Sequence, residues 1–371
     1  MALFQSAITV VLFLVILGVL VLAHELGHFV TARLARIRVH EFGIGFPPRA
    51  KVLGRRGETV YTLNWLPLGG FVKLEGEDGD SEDPRSFLRA PLPVRLIVLL
   101  AGVAMNVVVA LALMVLLAWT PQTAYGIGFA SVQPDSPAAS IGLQPDDLLV
   151  SIDGRRFDQL EPDRFVGTLR ASAGKTIELG ILRGGAATDG SAAATLETRA
   201  VTLRAPEEID ENRGALGIVD LRWVASSASF TRSPDEALSV GSARTADAFS
   251  MIWTGLVEVG RSLITSPTRD PGASGPIGIA VTVGDVFWQA GLGATLYLAA
   301  ILSANLALVN LLPFPPLDGG RMLMIVLRSL VGSRLSVRVE RLTYLVGFVF
   351  LFAFLIWVTA FDLARIGGAL Q

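Results

Sequence analysis

The chain has no cysteine and only three histidines, His24, His28 and His40, among its 371 residues. Without thiols there can be no disulfide, no thiol nucleophile and no cysteine-built zinc or iron–sulfur site. A transition metal would have to rest on histidines helped by carboxylates. Charge is scarce as well: Asp, Glu, Lys and Arg make up 17% of the chain, against about a quarter of an average soluble domain. A net charge of −2 supplies no general basicity, so nucleic acid is not expected as a partner. The missing charge is concentrated in long apolar stretches, which argues against a single water-soluble core.

Four of those stretches are long enough to cross a bilayer, which takes about 20 mainly apolar residues. They lie at about 5–29, 95–119, 289–312 and 342–362. The first lacks a basic leader and a small-residue cleavage site, so it reads as a span and not as a signal peptide. Basic residues crowd two short connections, from Arg33 to Arg95 and from Arg321 through Arg334 to Arg341. The positive-inside rule places both connections in the cytoplasm. Both termini and the central segment then lie outside.

That central segment is rich in Gly, Pro, Ser and Asp turn signals. Residues 120–206 read as a soluble domain, with a surface loop at Gly184–Ala194, and 207–284 as a connector. Asp235–Thr265 has helical apolar periodicity but carries Arg244, Asp247, Glu258 and Arg261. That mixture suits a helix or helix pair on the membrane surface, in an amphipathic connector, better than a fifth span. Residues 1–119 and 285–371 form the two parts of the membrane core. The expected fold is a polytopic α-helical membrane protein with an added extracytoplasmic α+β domain.

The inner end of the first span reads His24-Glu25-Leu26-Gly27-His28. Residues four apart share a helix face, so both imidazoles can reach one ion, with Glu25 beside them as a base for a water. The plainer reading is a pair of interfacial histidines. Two of three histidines at that spacing, with a Glu after the first and next to a bilayer, favour a metal site. A hydrolytic zinc normally takes three protein ligands. His40 lies in a connecting loop, and the better third candidate is Asp318 in Leu311-Leu-Pro-Phe-Pro-Pro-Leu-Asp318-Gly-Gly320. The prolines stop the helix there, and broken backbone at membrane depth is tolerated only inside protein or along a cavity. Gly319 and Gly320 are expected to let the chain turn tightly after the ligand. Asn310 stands in an otherwise apolar helix, where an amide is costly without a partner and a helix-packing role is open to it, while Asn305 suits an interhelical hydrogen bond.

The His24–His28 segment together with Asn310–Gly320 resembles the site-2 proteases, intramembrane zinc metalloproteases of peptidase family M50, and most nearly their bacterial RseP-like branch. Gly43-Ile-Gly-Phe-Pro-Pro48, Pro67-Leu-Gly-Gly-Phe-Val-Lys73 and Ser274-Gly-Pro-Ile-Gly-Ile279 fit the same branch. The resemblance implies one catalytic zinc on His24, His28 and Asp318, proton transfer by Glu25, and a substrate role for Asn310 and, less directly, Asn305. It implies a membrane-associated β-hairpin over 38–75 that holds an unwound substrate as an added strand, with Gly43, Phe46, Gly69 and Gly70 contributing. It also implies a bacterial inner membrane, an active site toward the cytoplasm, and single-span substrates already trimmed by an upstream site-1 protease. Anti-sigma factors and signal-peptide remnants are such substrates.

Val132–Ala139, Gly142–Leu149 and Ile152-Asp-Gly154 resemble a PDZ domain, with Phe157–Arg170 as its helix and Lys175–Arg183 as a strand. Asp135 and Asp146 stand where such domains often have Gly. Gly126, Ile127, Gly128 and Phe129 would form part of its peptide groove. The domain could bind a trimmed chain end or act as a size filter. Two other functions compete. A silent membrane adaptor has no need of Glu25. A metal transporter would need ionisable residues along several spans, and the second and fourth have none.

Overall fold

The computed structural model describes residues 2–77, 81–156, 162–184, 195–210, 213–331 and 337–368. The expected helix start at 157–161, most of the Gly/Ala-rich loop (185–194) and Arg334 lie outside them. The described residues form two compact units, 1–117 with 237–371, and 118–236.

The first unit is mainly helical. Helix α1 (Ala2–Leu34) leads into two long strands, β1 (Val39–Arg56) and β2 (Thr59–Leu74), and then into α2 (Leu92–Trp119). The chain returns as α5 (Pro234–Thr265), α6 (Pro276–Leu311), α7 (Asp318–Val331) and α8 (Val337–Ile366). Helices α1, α2, α6 and α8 are long and apolar enough to cross a membrane. Their outward faces suit hydrocarbon: α8 alone exposes Leu345, Phe348, Phe352 and Ile356. With every backbone group paired inside the helix, such a face needs no water.

Strands β1 and β2 form one antiparallel pair that folds back on itself. Glu41–Ile44 pair with Val60–Leu63 and also with Gly70–Lys73, while Val52–Arg56 meet Thr59–Thr62. Phe29 and Ala32 of α1, Val39 and Phe42 of β1, Leu74, Val98 and Leu99 of α2 and Ile325 of α7 pack as one apolar cluster. That cluster fixes the hairpin against the helices that carry the metal motif.

Two helices differ from expectation. Helix α6 begins at Pro276, well before the expected 289, and is interrupted at Gly291, whose φ of 76° and ψ of −169° are non-helical. The expected span is the stretch after that break. Helix α5 is a single helix, one of the two expected forms, but its first half is not a free surface element. It buries Ala237, Val240, Gly241, Arg244, Thr245 and Ala248, and Ala248 packs with Ala110 and Met114 of α2 and Ala300 and Ala304 of α6. Small residues at such a seam let helices approach closely where apolar burial drives nothing.

The second unit holds a six-stranded sheet and two helices, α3 (Pro137–Ser140) and α4 (Pro162–Ala171). The strands are β3 (Gln122–Gly128), β5 (Leu148–Ile152), β6 (Arg155–Arg156), β7 (Thr176–Arg183), β8 (Thr195–Thr202) and β10 (Arg222–Phe230), in the order β10-β3-β5-β7-β8 with β6 beside β5. A further pair joins β4 (Ser131–Val132) to β9 (Ile218–Val219). The unit therefore runs past the expected boundary at 206, because β9 and β10 return to pair with β4 and β3.

Candidate metal centre

Helix α1 brings His24 and His28 to one face, one turn apart, and their ring centroids are 4.8 Å apart. Opposite them stands Asp318, the first residue of α7. His24 Nε2 lies 2.9 Å from Asp318 Oδ2 and 3.1 Å from His28 Nε2, and His28 Nε2 lies 3.3 Å from the same carboxylate oxygen. All three residues are buried. Their ligand atoms lie within 4.8 Å of one another and could hold one metal ion.

The donor chemistry fits zinc. His28 Nδ1 is 2.8 Å from the Val98 carbonyl oxygen, which can only accept. Nδ1 therefore carries the hydrogen, and Nε2 turns its lone pair toward the group. Two imidazole nitrogens and one carboxylate oxygen form the three-ligand set that leaves a fourth position open for chemistry.

The chain reaches this geometry through the turn after α6. That helix ends at Leu311, with Leu312 as its cap, and the proline run carries the backbone over to Asp318. Gly319 and Gly320 do not serve the tight turn expected of them, since both sit in the first turn of α7. They are small because the turn's own backbone presses on them: a Cβ on Gly319 would stand 2.2 Å from the Leu311 carbonyl oxygen, and one on Gly320 would stand 2.5 Å from Phe314 C. Helix α2 supplies the other wall. Gly102 faces both imidazoles, and Asn106, one turn later and wholly buried, places its amide nitrogen 3.2 Å from His24 Nδ1. Ser303 of α6 donates to the Asn106 carbonyl oxygen at 2.9 Å.

Glu25 is half-buried and makes no side-chain hydrogen bond among the described residues. The hairpin comes next to it: a Cβ on Gly70 would stand 3.8 Å from Glu25 Cγ, and one on Gly69 would stand 2.5 Å from Val21 Cγ1 of α1. Gly43 and Ile44 pair with Phe71 and Gly70 in the adjoining register, whereas Phe46 is 43% exposed. His40 is elsewhere, paired with Glu75. The hydrogen bonds from Ser81 and from His40 hold the Glu75 carboxyl below its ordinary range. Asn310 and Asn305 lie half-buried on α6, and neither makes a side-chain hydrogen bond among the described residues. The interhelical bond expected of Asn305 thus has no partner there.

In the second unit Ile127 and Phe129 belong to the apolar core. Gly126–Gly128 lie on β3, which is flanked by β10 and β5. The groove expected at this stretch has no free strand edge, because a distant strand occupies it. Gly102 and Asn106 are not marked out in the sequence by a motif or a charge. The available signal was an amide and a glycine four residues apart in an uncharged span, where an amide needs a partner.

The sequence profile of peptidase family M50 matches residues 12–354. A protein of Clostridium perfringens named "Putative zinc metalloprotease CPE1693" is 33% identical, over 93% of this chain and 95% of its own length. A similarly named protein of Nostoc sp. is 32% identical over 91% of this chain and 90% of its own. The "Zinc metalloprotease RasP" of Geobacillus kaustophilus is 27% identical over 96% and 98%.

Proposed function

The chain belongs to peptidase family M50 and is an intramembrane zinc metalloprotease of the site-2 type; from that premise we propose that His24, His28 and Asp318 hold its zinc and that Glu25 is its general base. The observation that carries the assignment is the convergence of two imidazole nitrogens and one carboxylate oxygen in a buried place. Zinc, when bound, makes water a nucleophile at neutral pH and polarises the carbonyl under attack. Glu25 takes the proton from the attacking water and later gives it to the leaving amine. Asn310, with no hydrogen-bond partner of its own among the described residues, donates to the substrate carbonyl oxygen as charge develops on it.

A peptide bond inside a membrane helix is shielded by its own hydrogen bonds and must be unwound before attack. Gly70 comes next to Glu25, and the strand segment Gly69–Lys73 to which it belongs offers backbone groups to an extended segment, which adds as a further strand. Gly43 and Phe46 shape the same sheet. The substrates are single-span membrane proteins already shortened by another protease, anti-sigma factors or signal-peptide remnants among them. The chain resides in a bacterial inner membrane with its termini and the second unit outside and the active site toward the cytoplasm. The second unit is a PDZ-like domain that meets the shortened substrate.

The test uses purified full-length protein and a model single-span substrate. Glu25→Gln should keep zinc and lose activity by about 10²- to 10⁴-fold. Asp318→Ala should lose zinc while its thermal unfolding stays cooperative. Wild-type cleavage by Glu25→Gln would refute the base assignment, and undiminished zinc in Asp318→Ala would refute the ligand set.

A further inference from the structure

The geometry points to Asn106 as the positioning residue that decides which ring nitrogen of His24 is free for the metal. This rests on the reading of His24, His28 and Asp318 as the zinc ligands. His28 has its outer nitrogen fixed by the Val98 carbonyl oxygen. For His24 the outer nitrogen, Nδ1, instead meets the Asn106 side-chain amide at 3.2 Å. That amide is wholly buried, and its oxygen, Oδ1, has no hydrogen-bond partner among the described residues.

An amide can present either of two chemistries to Nδ1, because a half-turn about its last bond exchanges oxygen and nitrogen within nearly the same outline. With Nδ2 toward the ring, Nδ1 accepts, so the ring hydrogen sits on Nε2 and points at Asp318 Oδ2, 2.9 Å away. That arrangement joins His24 to Asp318 directly and leaves no lone pair on Nε2. With Oδ1 toward the ring, Nδ1 donates and Nε2 is free to ligate. Zinc binding therefore requires the second orientation, and the unpartnered Oδ1 is the acceptor it uses. A histidine ligand is generally fixed in this way through its second nitrogen.

The rest of the pocket wall supports the assignment. Gly102 lies one helical turn before Asn106 on α2, and a Cβ there would stand 2.4 Å from His28 Nε2 and 2.8 Å from His24 Cε1. The same helix face thus clears space for both rings and orients one of them. Ser303 on α6 accounts for the Asn106 backbone oxygen at 2.9 Å, so the side-chain oxygen is the group left for the ring.

The two amide chemistries can be separated by substitution. Asn106→Asp can only accept, Asn106→Leu can do neither, and Asn106→Ala asks the same question as Leu with less bulk. Full-length protein carrying each change, stripped of metal in detergent, is titrated with zinc against a chromophoric competitor, with Asp318→Ala beside them. Asn106→Leu and Asn106→Ala should bind zinc about 10- to 100-fold more weakly than wild type. Asn106→Asp should bind at least as tightly as wild type. Wild-type affinity in both Leu and Ala variants would overturn the inference, as would an Asp variant as weak as they are. If Asp318→Ala binds zinc like wild type, the ligand set itself is wrong and the inference falls with it. If Asp318→Ala loses zinc while the Leu and Ala variants do not, the inference alone fails.

Discussion

Gly102 shows how little room the metal site has. Its hydrogen stands where a methyl group would press on His28 Nε2 at 2.4 Å and on His28 Cε1 at 2.6 Å. Adding a methyl to a filled interior generally costs about 1–3 kcal/mol, and here the atoms that would have to yield belong to the proposed ligands. Gly102→Ala should therefore leave a folded protein with much weaker zinc binding. Metal content after dialysis, set beside the thermal midpoint, checks this; full zinc in the variant would mean that α2 shifts without cost. The convergence of His24, His28 and Asp318 could be anticipated from the sequence because histidine is scarce in it, the two histidines have helical spacing and the carboxylate follows a proline-broken helix end. The part of Gly102 and Asn106 could not, since an amide or glycine in a span has many ordinary uses. Only the partner across the gap gives these two a purpose.

Asp362 ties α8 to the start of α6. In the sequence it reads as the end of the fourth span, because water is the usual partner of a carboxylate. In the structure α8 continues through it to Ile366, and Asp362 is 1% exposed. Its partner is the start of α6, where the Gly275 and Gly278 amides donate to its carboxylate at 3.1 and 2.8 Å. The first amides of a helix have no partner within it, and a negative charge there also meets the positive end of the helix dipole. Arg365, on the next turn, reaches Asp270 just before that helix at 2.7 and 2.6 Å. The stretch Ser274–Ile279, distinctive in the sequence but without an evident task, is thus the socket for α8. Asp362→Ala leaves the buried Gly275 amide and the half-buried Gly278 amide without their acceptor and should destabilise the protein by about 1–3 kcal/mol. Gly278→Ala should do comparable harm, since its Cβ would stand 2.5 Å from Asp362 Oδ1. Thermal unfolding in lipid nanodiscs measures both, and unchanged midpoints would remove the clamp from the account of stability.

For the molecule as a whole, the two units differ in how far sequence could delimit them. The membrane helices announce themselves by local composition, and all four appear where apolar runs indicate, though with longer ends. The second unit is closed by strands remote from its start, and pairing across such distances leaves no local trace. Residues beyond 206 complete its interior: Ala215 and Leu216 belong to the core, with Ile209, Ile218 and Trp223 packed on it. The stacked Tyr125 and Trp223 rings lie 6.4 Å apart, and Trp223 also meets Phe165 edge-on. Burying one large apolar side chain contributes about 1.5–3 kcal/mol, while a whole domain is stable by only about 5–15 kcal/mol. Loss of Leu216, Ile218 and Trp223 together with the β10 pairing would consume most of that margin. A fragment of residues 118–236 should therefore fold alone and unfold cooperatively, with Trp223 fluorescence and backbone dichroism changing together. A fragment ending at 206, which lacks Trp223, should show no cooperative transition in backbone dichroism. Cooperative unfolding of the shorter fragment would mean that the strands after 206 are an attachment to the domain and not part of it.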